Sequence, residues 1–170
     1  MTIRAEKADD FDKIHQLVKT AFETASPAAD GDEQDHVLRL RASNNYIPQL
    51  ALVAEDEGQL IGHIMLTKTY IKTKTKSIES LLLSPLAVLL PYRKKGIGAR
   101  LVTEALARAK AAEYKAVFLV GEPKYYQRFG FVSVSNYNLA YNMDIPKQYV
   151  MVCELQVNWL KNIKGEISIV

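Results

Sequence analysis

The residue types best suited to binding a phosphate group are concentrated in one short stretch, Arg93-Lys94-Lys95-Gly96-Ile97-Gly98. An apolar segment precedes this stretch, and apolar residues at helical spacing follow it. A glycine-containing turn that opens a helix presents backbone N–H groups without intrahelical partners, and the helix dipole adds positive charge there. Glycines also allow an anion to approach these amides closely. The stretch therefore predicts a phosphate-binding turn with cationic side chains at its first three positions.

Two common phosphate-binding motifs do not fit this turn. A nucleoside-triphosphate loop would end in Gly-Lys-Ser or Gly-Lys-Thr, which the stretch lacks. A dinucleotide-binding loop would need a third glycine where Leu101 stands, and an acidic residue at the end of the next predicted strand, which ends at Val120. Both alternatives are rejected, and the phosphate must belong to another ligand.

The turn resembles the fingerprint of the GNAT (GCN5-related N-acetyltransferase) superfamily, Gln/Arg-x-x-Gly-x-Gly/Ala, at every fixed position. The apolar segment Leu86–Tyr92 looks like the family's fourth strand and its exit. Further along, Tyr125–Phe131 is similar to the family motif Phe-Tyr-x-x-x-Gly-Phe, and the strand Thr2–Arg4 with the following helix looks like the family's opening. Because these features occur in the family's order, the resemblance covers most of the chain.

This resemblance implies acetyl-CoA as co-substrate, with no metal. In GNAT proteins the turn binds the pyrophosphate of coenzyme A, and the preceding strand contacts the pantetheine arm through its backbone. Contacts with the arm are therefore expected at Leu86, Ala87 and Val88, with the Val88 N–H polarising the thioester carbonyl. The residues expected at the pyrophosphate are Arg93, Lys94, Lys95, Gly96, Ile97, Gly98 and Ala99.

Acetyl transfer from a thioester to an amine needs no enzyme nucleophile, but the departing thiolate needs a proton. The lone cysteine, Cys153, lies in an apolar run with no histidine beside it, so we interpret it as structural. The resemblance places a tyrosine acid, which also contacts the cofactor, at Tyr126, with its neighbour Tyr125 as the alternative.

The general base is less well determined. A lysine-type amine has a pKa near ~10.4, so forming its neutral state at pH 7 costs about 4.6 kcal/mol. The candidates are Glu79, before the predicted buried strand, Glu33 and Asp35 on the second predicted helix, or a chain of water molecules. The three histidines show no metal-ligand spacing and are interpreted as structural or exposed.

The elements that must position these residues follow from hydrophobic periodicity. Their order is a strand, two helices, an antiparallel meander, and then strand–helix–strand–helix–strand. This order predicts the α/β class (α+β mixed), with helices flanking one sheet. The resemblance implies a central mixed, mostly antiparallel sheet with a splayed, V-shaped cofactor cleft between its fourth and fifth strands.

Several local features are expected within these elements. Asp9 or Asp10 is the candidate N-cap of the first helix, and Pro85 should kink or bulge its strand. The lysine- and threonine-rich stretch 70–78 is expected to be an exposed edge or loop. The remaining expected elements are helices at about 33–43 and 123–129, the second ending at Gly130, and strands at 50–55, 60–67, 80–88, 116–120, 149–155 and 166–169.

Composition limits the possible functions. The 170 residues fit a single N-acetyltransferase domain over 1–170, and a net charge of +3 is too mild to predict a nucleic-acid partner. One cysteine excludes an internal disulfide. We see no signal-peptide pattern and no apolar run of about 18 residues, which favours a cytoplasmic protein without a membrane partner, as a monomer or homodimer.

The sequence thus predicts an N-acetyltransferase that moves an acetyl group from acetyl-CoA to a primary amine of a small molecule or peptide. A non-catalytic acyl-CoA sensor of the same fold is the alternative, and a nucleic-acid-binding role for the lysine-rich stretch ranks last. The acceptor amine is not identified. Aromatic residues near the C-terminus are candidates for its pocket or for core packing: Tyr137, Tyr141, Tyr149 and Trp159.

Overall fold

The computed structural model describes residues 1–25 and 31–169. These residues form nine β-strands and four α-helices, joined in several places by short 3-10 turns. In chain order the elements are β1 (Thr2–Ala5), α1 (Phe11–Glu23), α2 (Glu33–Arg41), β2 (Ala51–Asp56), β3 (Gln59–Lys72), β4 (Ser77–Val88), α3 (Ile97–Ala111), β5 (Ala116–Val120), α4 (Pro123–Tyr126), β6 (Val132–Ser133), β7 (Asn138–Tyr141), β8 (Val150–Glu154) and β9 (Lys164–Ile167).

Backbone contacts divide the chain into two compact units. The first combines Met1–Thr67 with Ser84–Arg108, and the second combines Lys68–Leu83 with Ala109–Val170. Strands β3 and β4 and helix α3 run from one unit into the other, so neither unit is a contiguous stretch of sequence. The single domain expected over residues 1–170 stays a prediction.

In the first unit, β1 pairs antiparallel with β2, and β2 with β3. The β2–β3 hairpin closes through Glu57 and Gly58, which both have left-handed backbone conformations, with φ of 49° and 78°. Two consecutive left-handed residues form the tight turn that suits the twist of an antiparallel hairpin. This hairpin agrees with the sequence prediction.

The core of the first unit is formed by the apolar faces of α1 and α2 against β2, β3 and the end of β4. Fully burying one aliphatic side chain of this kind contributes roughly 1.5–3 kcal/mol. Helix α3 packs close to β3 because Gly62 has no side chain: a Cβ there would lie 2.9 Å from Leu101 Cδ1. The buried α1 residues are those of the predicted stripe: Ile14, Leu17, Val18 and Ala21.

In the second unit, β4 pairs parallel with β5 at Leu81–Val117 and Leu82–Phe118. Strand β8 lies antiparallel between β5 and β6, while β9 pairs antiparallel with β3 and parallel with β7. Most pairings in the described residues are thus antiparallel. The protein is a mixed α/β chain with a mostly antiparallel open sheet flanked by helices, which confirms the predicted fold class.

The lysine- and threonine-rich stretch 70–78 was expected to be an edge or loop, and this expectation is only partly met. Strand β3 continues to Lys72 and β4 begins at Ser77, so only residues 73–76 form the turn. Ile71 is fully buried and lies opposite Ile167 of β9, a pairing between distant parts of the sequence. A local pattern of lysine and threonine does not reveal this long-range partner.

One other local expectation needs correction, and a second stays a prediction. Asp10 precedes α1, but its carboxylate makes no capping bond to the helix and instead accepts from the Arg4 guanidinium at 2.7 and 3.0 Å. Strand β4 continues through Pro85 to Val88 with a cis peptide bond between Ser84 and Pro85, and the kink or bulge expected there stays a prediction. The short strand β7 was not predicted, because it pairs only with residues far along the chain.

Candidate active site

The predicted phosphate-binding turn lies between a 3-10 turn at Leu90–Tyr92 and the start of α3. The first hydrogen bond of the helix runs from Arg100 N–H to the Gly96 carbonyl at 3.0 Å. Among the described residues, the backbone amides of residues 94–99 donate no hydrogen bond to the chain itself. Free amides at a helix start are the groups that bind a phosphate.

The backbone of this turn also has the geometry of an anion site. Lys94 and Gly96 are both left-handed, with φ of 62° and 80°, and such conformations direct successive amides toward a concave surface. A Cβ built on Gly96 would meet no described atom within 4 Å, so the space above its amide is open. Ile97, only 8% exposed, anchors the helix start in the core. The residues present therefore fit a diphosphate.

Arg93 does not act as the free cation that the sequence suggested. Its guanidinium donates to the Ala21 carbonyl at 2.6 Å and the Thr24 carbonyl at 3.2 Å, both at the end of α1. Its Nε donates to the Val88 carbonyl at 2.9 Å. A cation is favourable at a helix C-terminus, where carbonyls lack partners. Arg93 therefore fixes the turn to α1 and β4, and the exposed cations at the turn are Lys94 and Lys95.

We predict different results for replacing the two neighbouring cations. Arg93→Ala should lower the free energy of unfolding by about 2 kcal/mol, because several carbonyls lose a charged donor. Lys94→Ala is the matched control and should change stability by less than about 0.5 kcal/mol, yet weaken acetyl-CoA binding. Urea denaturation and calorimetry with acetyl-CoA measure the two effects. An Arg93 variant of unchanged stability would contradict the structural role.

The strand end expected to contact the pantetheine arm is held at two points. The Leu89 N–H donates to the Ile61 carbonyl of β3 at 3.0 Å, and the Val88 carbonyl accepts from Arg93. Leu86 and Val88 are half-buried, whereas Ala87 points into the core at 3% exposure. Because side chains alternate between the two faces of a strand, Leu86 and Val88 lie on the same face of β4.

Tyr126, the predicted acid, is the last residue of α4 and lies in an aromatic cluster. Its ring meets Tyr125 edge-on at a centroid distance of 4.9 Å and Phe131 at 5.8 Å. Burial, and secondarily the neighbouring Tyr125, raises the pKa of Tyr126 well above its usual value. The phenol therefore stays protonated at neutral pH and can donate a proton.

Gly121 makes room for this ring. A Cβ on Gly121 would lie 2.5 Å from Tyr126 Cε2, far inside van der Waals contact. The Gly121 N–H donates to the Tyr149 carbonyl at 2.9 Å, which holds the backbone in place. Gly121 was not predicted as a site residue, although a glycine at the end of a buried strand is the signal that could have identified it.

Tyr125, the alternative acid, is in contact with Arg128. The Arg128 guanidinium carbon lies 4.3 Å from the centroid of its ring, and the same guanidinium donates from Nε to the Tyr125 carbonyl. Burial raises the pKa of Tyr125, and the positive charge of Arg128 acts in the opposite direction. Both phenols are therefore neutral at physiological pH, and their pKa shifts do not distinguish the two candidate donors.

Glu79 and Tyr126 are not brought together. The neighbour of Glu79, Ser80, donates from its hydroxyl to the carbonyl of Ala116, the first residue of β5. The Tyr126 ring lies against Gly121, the residue after the last residue of β5, and β5 itself is about 13 Å long at 3.3 Å per residue. Glu79 is also exposed. Glu79 thus lies toward the opposite end of β5 from Tyr126, and its role as the general base stays a prediction.

The other two candidate bases lie in the first turn of α2. The Asp35 carboxylate lies 3.2 Å from His15 Nε2, and a Glu33 carboxylate oxygen accepts from the Gly31 N–H at 3.0 Å. Both side chains therefore have partners within the first unit. An ionised carboxylate has about four acceptor sites, so neither contact excludes a role as general base.

The cysteine and most C-terminal aromatic residues have packing roles. Cys153 is 8% exposed, and burial followed by the charge of Glu154 raises the pKa of its thiol, as expected of an unreactive cysteine. The Tyr137 hydroxyl donates to Glu154 at 2.9 Å, and the Tyr141 hydroxyl donates to the Ile145 carbonyl. Tyr137, Tyr141 and Trp159 pack against the core of the second unit, while Tyr149 is exposed.

A buried charged cluster in the first unit was not foreseen. The Glu6 carboxylate accepts from Arg41 Nε at 2.7 Å and from the Tyr46 hydroxyl at 2.7 Å, and lies 2.9 Å from His63 Nε2. The side chains of Glu6 and His63 are both 0% exposed. The only advance signal is a histidine within the otherwise apolar start of β3.

Across residues 1–25 and 31–169, no cluster of three or more His, Cys, Asp or Glu side chains could hold a metal ion. None of the helices in these ranges combines the length and apolar character needed to span a membrane.

Comparison with known proteins identifies the family. The acetyltransferase (GNAT) domain family matches residues 2–134. Among proteins of Escherichia coli (strain K12), the uncharacterized N-acetyltransferase YhbS is 30% identical over 168 residues, covering 99% of this chain and 95% of that protein. The uncharacterized N-acetyltransferase YjhQ is 34% identical over 99 residues, which is 58% of this chain and 55% of that protein.

Two solved structures are similar over nearly the whole chain. The crystal structure of Escherichia coli YhbS in complex with CoA superposes with a TM-score of 0.85, at 27% identity, over 99% of this chain and 89% of that one. A Brucella melitensis GNAT family acetyltransferase in complex with acetyl-CoA gives a TM-score of 0.80, at 27% identity, over 99% and 95%. Since the family match, the nearly full-length relative and the fold all agree, this chain belongs to the GNAT family of N-acetyltransferases.

Proposed function

We propose that this protein transfers the acetyl group of acetyl-CoA to a primary amine of a small molecule or peptide. The observation that carries the proposal is the set of free amides at the start of α3, beside the open space at Gly96. The CoA and acetyl-CoA complexes of the two similar proteins support the same ligand. The thioester of bound acetyl-CoA would supply an activated acyl group.

Different segments of the chain would bind different parts of the cofactor. The amides of residues 94–99 would bind the pyrophosphate, with Lys94 and Lys95 adding positive charge. The backbone of Leu86, Ala87 and Val88 would bind the pantetheine arm, as the resemblance implies. Arg93 would act indirectly, by fixing the turn.

The proton steps would use two kinds of groups. Tyr126 would donate the proton to the departing thiolate, as the resemblance implies, because a phenol is protonated at neutral pH. The amine would lose its proton to water or to Glu33 or Asp35, since Glu79 lies at the other end of β5 from Tyr126. The Val88 N–H would polarise the carbonyl that the amine attacks.

The test separates an enzyme from a sensor. We expect calorimetry to show saturable acetyl-CoA binding, and a thiol-release assay over a library of small amines and peptides to show turnover with at least one acceptor. Heat-unfolded protein is the control for background hydrolysis. Binding without thiol release for any amine would favour the acyl-CoA sensor, and absence of binding would refute both functions.

A further inference from the structure

A groove in the second unit lies beside the turn that joins β3 to β4. Its cavity volume is about 1160 Å³, and its walls come from this turn, from β7 and β9, and from the segment between β8 and β9. All of its lining residues belong to the second unit, and none is among the residues proposed for cofactor binding or proton transfer. Two of them, Tyr137 and Trp159, were candidates for the acceptor pocket or for core packing, and both pack against the core of this unit. The groove is therefore a separate candidate binding site.

The groove is strongly cationic. Lys72, Lys74, Lys76 and Lys164 line it, together with one carboxylate, that of Glu166. Within the described ranges, none of these four lysines forms an ion pair. Four lysines and one glutamate give the groove a formal charge of +3, which equals the net charge of the whole chain. Clustered like charges repel one another, so an anionic ligand would stabilise this surface.

The lysines are presented on a fixed backbone. The Thr73 N–H donates to the Lys76 carbonyl at 2.9 Å, and the Thr73 hydroxyl oxygen accepts from the Lys76 N–H at 3.1 Å and the Thr75 N–H at 3.3 Å. These bonds close the turn on itself. A preformed turn reduces the conformational entropy that is lost when a ligand binds.

The rest of the groove is suited to an extended polypeptide. Its lining includes aliphatic residues of β4 and β7, Ile78 and Leu139, beside the half-buried Trp159. Strand β7 also lines the groove, and among the described strands it pairs only with β9. Its other edge offers backbone donors and acceptors to an added strand.

We propose that this groove binds an acidic, extended segment of a partner protein. Carboxylates of the segment would pair with the lysines, its apolar side chains would contact the aliphatic surface, and its backbone would pair with β7. A nucleic acid fits less well, because single strands bind mainly to aromatic platforms and the lining has only two aromatic residues, Tyr137 and Trp159. The hydroxyl of the second aromatic residue in the lining, Tyr137, is already bonded to Glu154.

Trp159 provides a direct reporter of this site, since it is the only tryptophan in the chain and lines the groove. The probe is a synthetic ten-residue peptide that alternates Glu with Leu. We expect it to change the tryptophan fluorescence saturably, with affinity falling as salt screens the charges. The same peptide with Gln in place of Glu should bind at least about tenfold more weakly.

Two double variants that reverse the same number of charges test whether the peptide binds at the groove. Lys74→Glu/Lys76→Glu should weaken binding by about tenfold or more, whereas Lys13→Glu/Lys19→Glu, with the same net charge but on exposed positions of α1, should leave it unchanged. Should the first pair unfold by circular dichroism, Lys74→Gln/Lys76→Gln replaces it. No fluorescence change, or equal weakening in both pairs, overturns the proposal. Binding of a single-stranded oligodeoxynucleotide but not of the peptide also overturns it.

Discussion

Glu6→Gln is expected to destabilise the protein by about 3–5 kcal/mol, because it leaves buried charge without compensation. The Arg41 side chain is 9% exposed and makes two hydrogen bonds to the Glu6 carboxylate, at 2.7 and 3.1 Å. The Tyr46 hydroxyl and His63 Nε2 contact the same carboxylate. A neutral amide keeps the shape of the side chain but removes the anion that all three partners face.

Urea denaturation of Glu6→Gln and of a control measures this loss. The control is Glu55→Gln, which also removes a carboxylate bonded to an arginine. The Arg4–Glu55 pair is 2.9 Å long, but its side chains are 25% and 32% exposed. Exposed pairs contribute about 0–1 kcal/mol, so the control should stay within that range. Equal, small losses in both variants would show that the buried cluster does not stabilise the fold.

The same cluster predicts how stability depends on pH. Burial alone would raise the pKa of Glu6, but hydrogen bonds from His63, Arg41 and Tyr46 outweigh it and hold the pKa at about 2, against an ordinary value of 4.5. Because the folded pKa is depressed, its contribution is complete above pH 4.5 and is lost as pH falls toward 2. Glu6→Gln should therefore flatten the acid limb of the stability–pH curve in this window.

Sequence patterns predicted the parts of this protein that depend on neighbouring residues. The turn at 93–98 is such a part, since glycines, cations and a following helix are all contiguous in sequence. The apolar stripe of α1 and the β2–β3 hairpin were predicted for the same reason. Local periodicity and turn-forming residues are enough to predict a structural feature when the residues that cause it lie within a few positions of one another.

The features that escaped prediction depend on partners far away in the chain. Arg93 was expected to face a phosphate, but its guanidinium meets α1 carbonyls up to 72 residues earlier in the sequence. Glu6 obtains partners from α2, from the loop after it and from β3. The separation of Glu79 from Tyr126 follows from the β4–β5 register, which no local pattern encodes. Tertiary contacts decided each of these cases.

Tyr126→Phe is expected to lower kcat by about 10²–10⁴-fold, provided that an acceptor amine is found. The variant loses only the phenolic hydroxyl, so the ring should still pack edge-on against Tyr125 and Phe131. Cofactor affinity by calorimetry should remain nearly unchanged, because the amides of the turn are untouched. Tyr125→Phe is the matched control next to it and should retain most of kcat.

The position of the hydroxyl can be tested separately from its presence. Gly121→Ala keeps Tyr126 but places a methyl group 2.5 Å from the present position of Cε2, so the ring must move. Because proton donation requires hydrogen-bond distance to the departing atom, we expect kcat to fall while binding of acetyl-CoA persists. Gly58→Ala, in the exposed β2–β3 turn, controls for the general effect of replacing a glycine. Full activity in both Tyr126→Phe and Gly121→Ala would assign the proton to another donor.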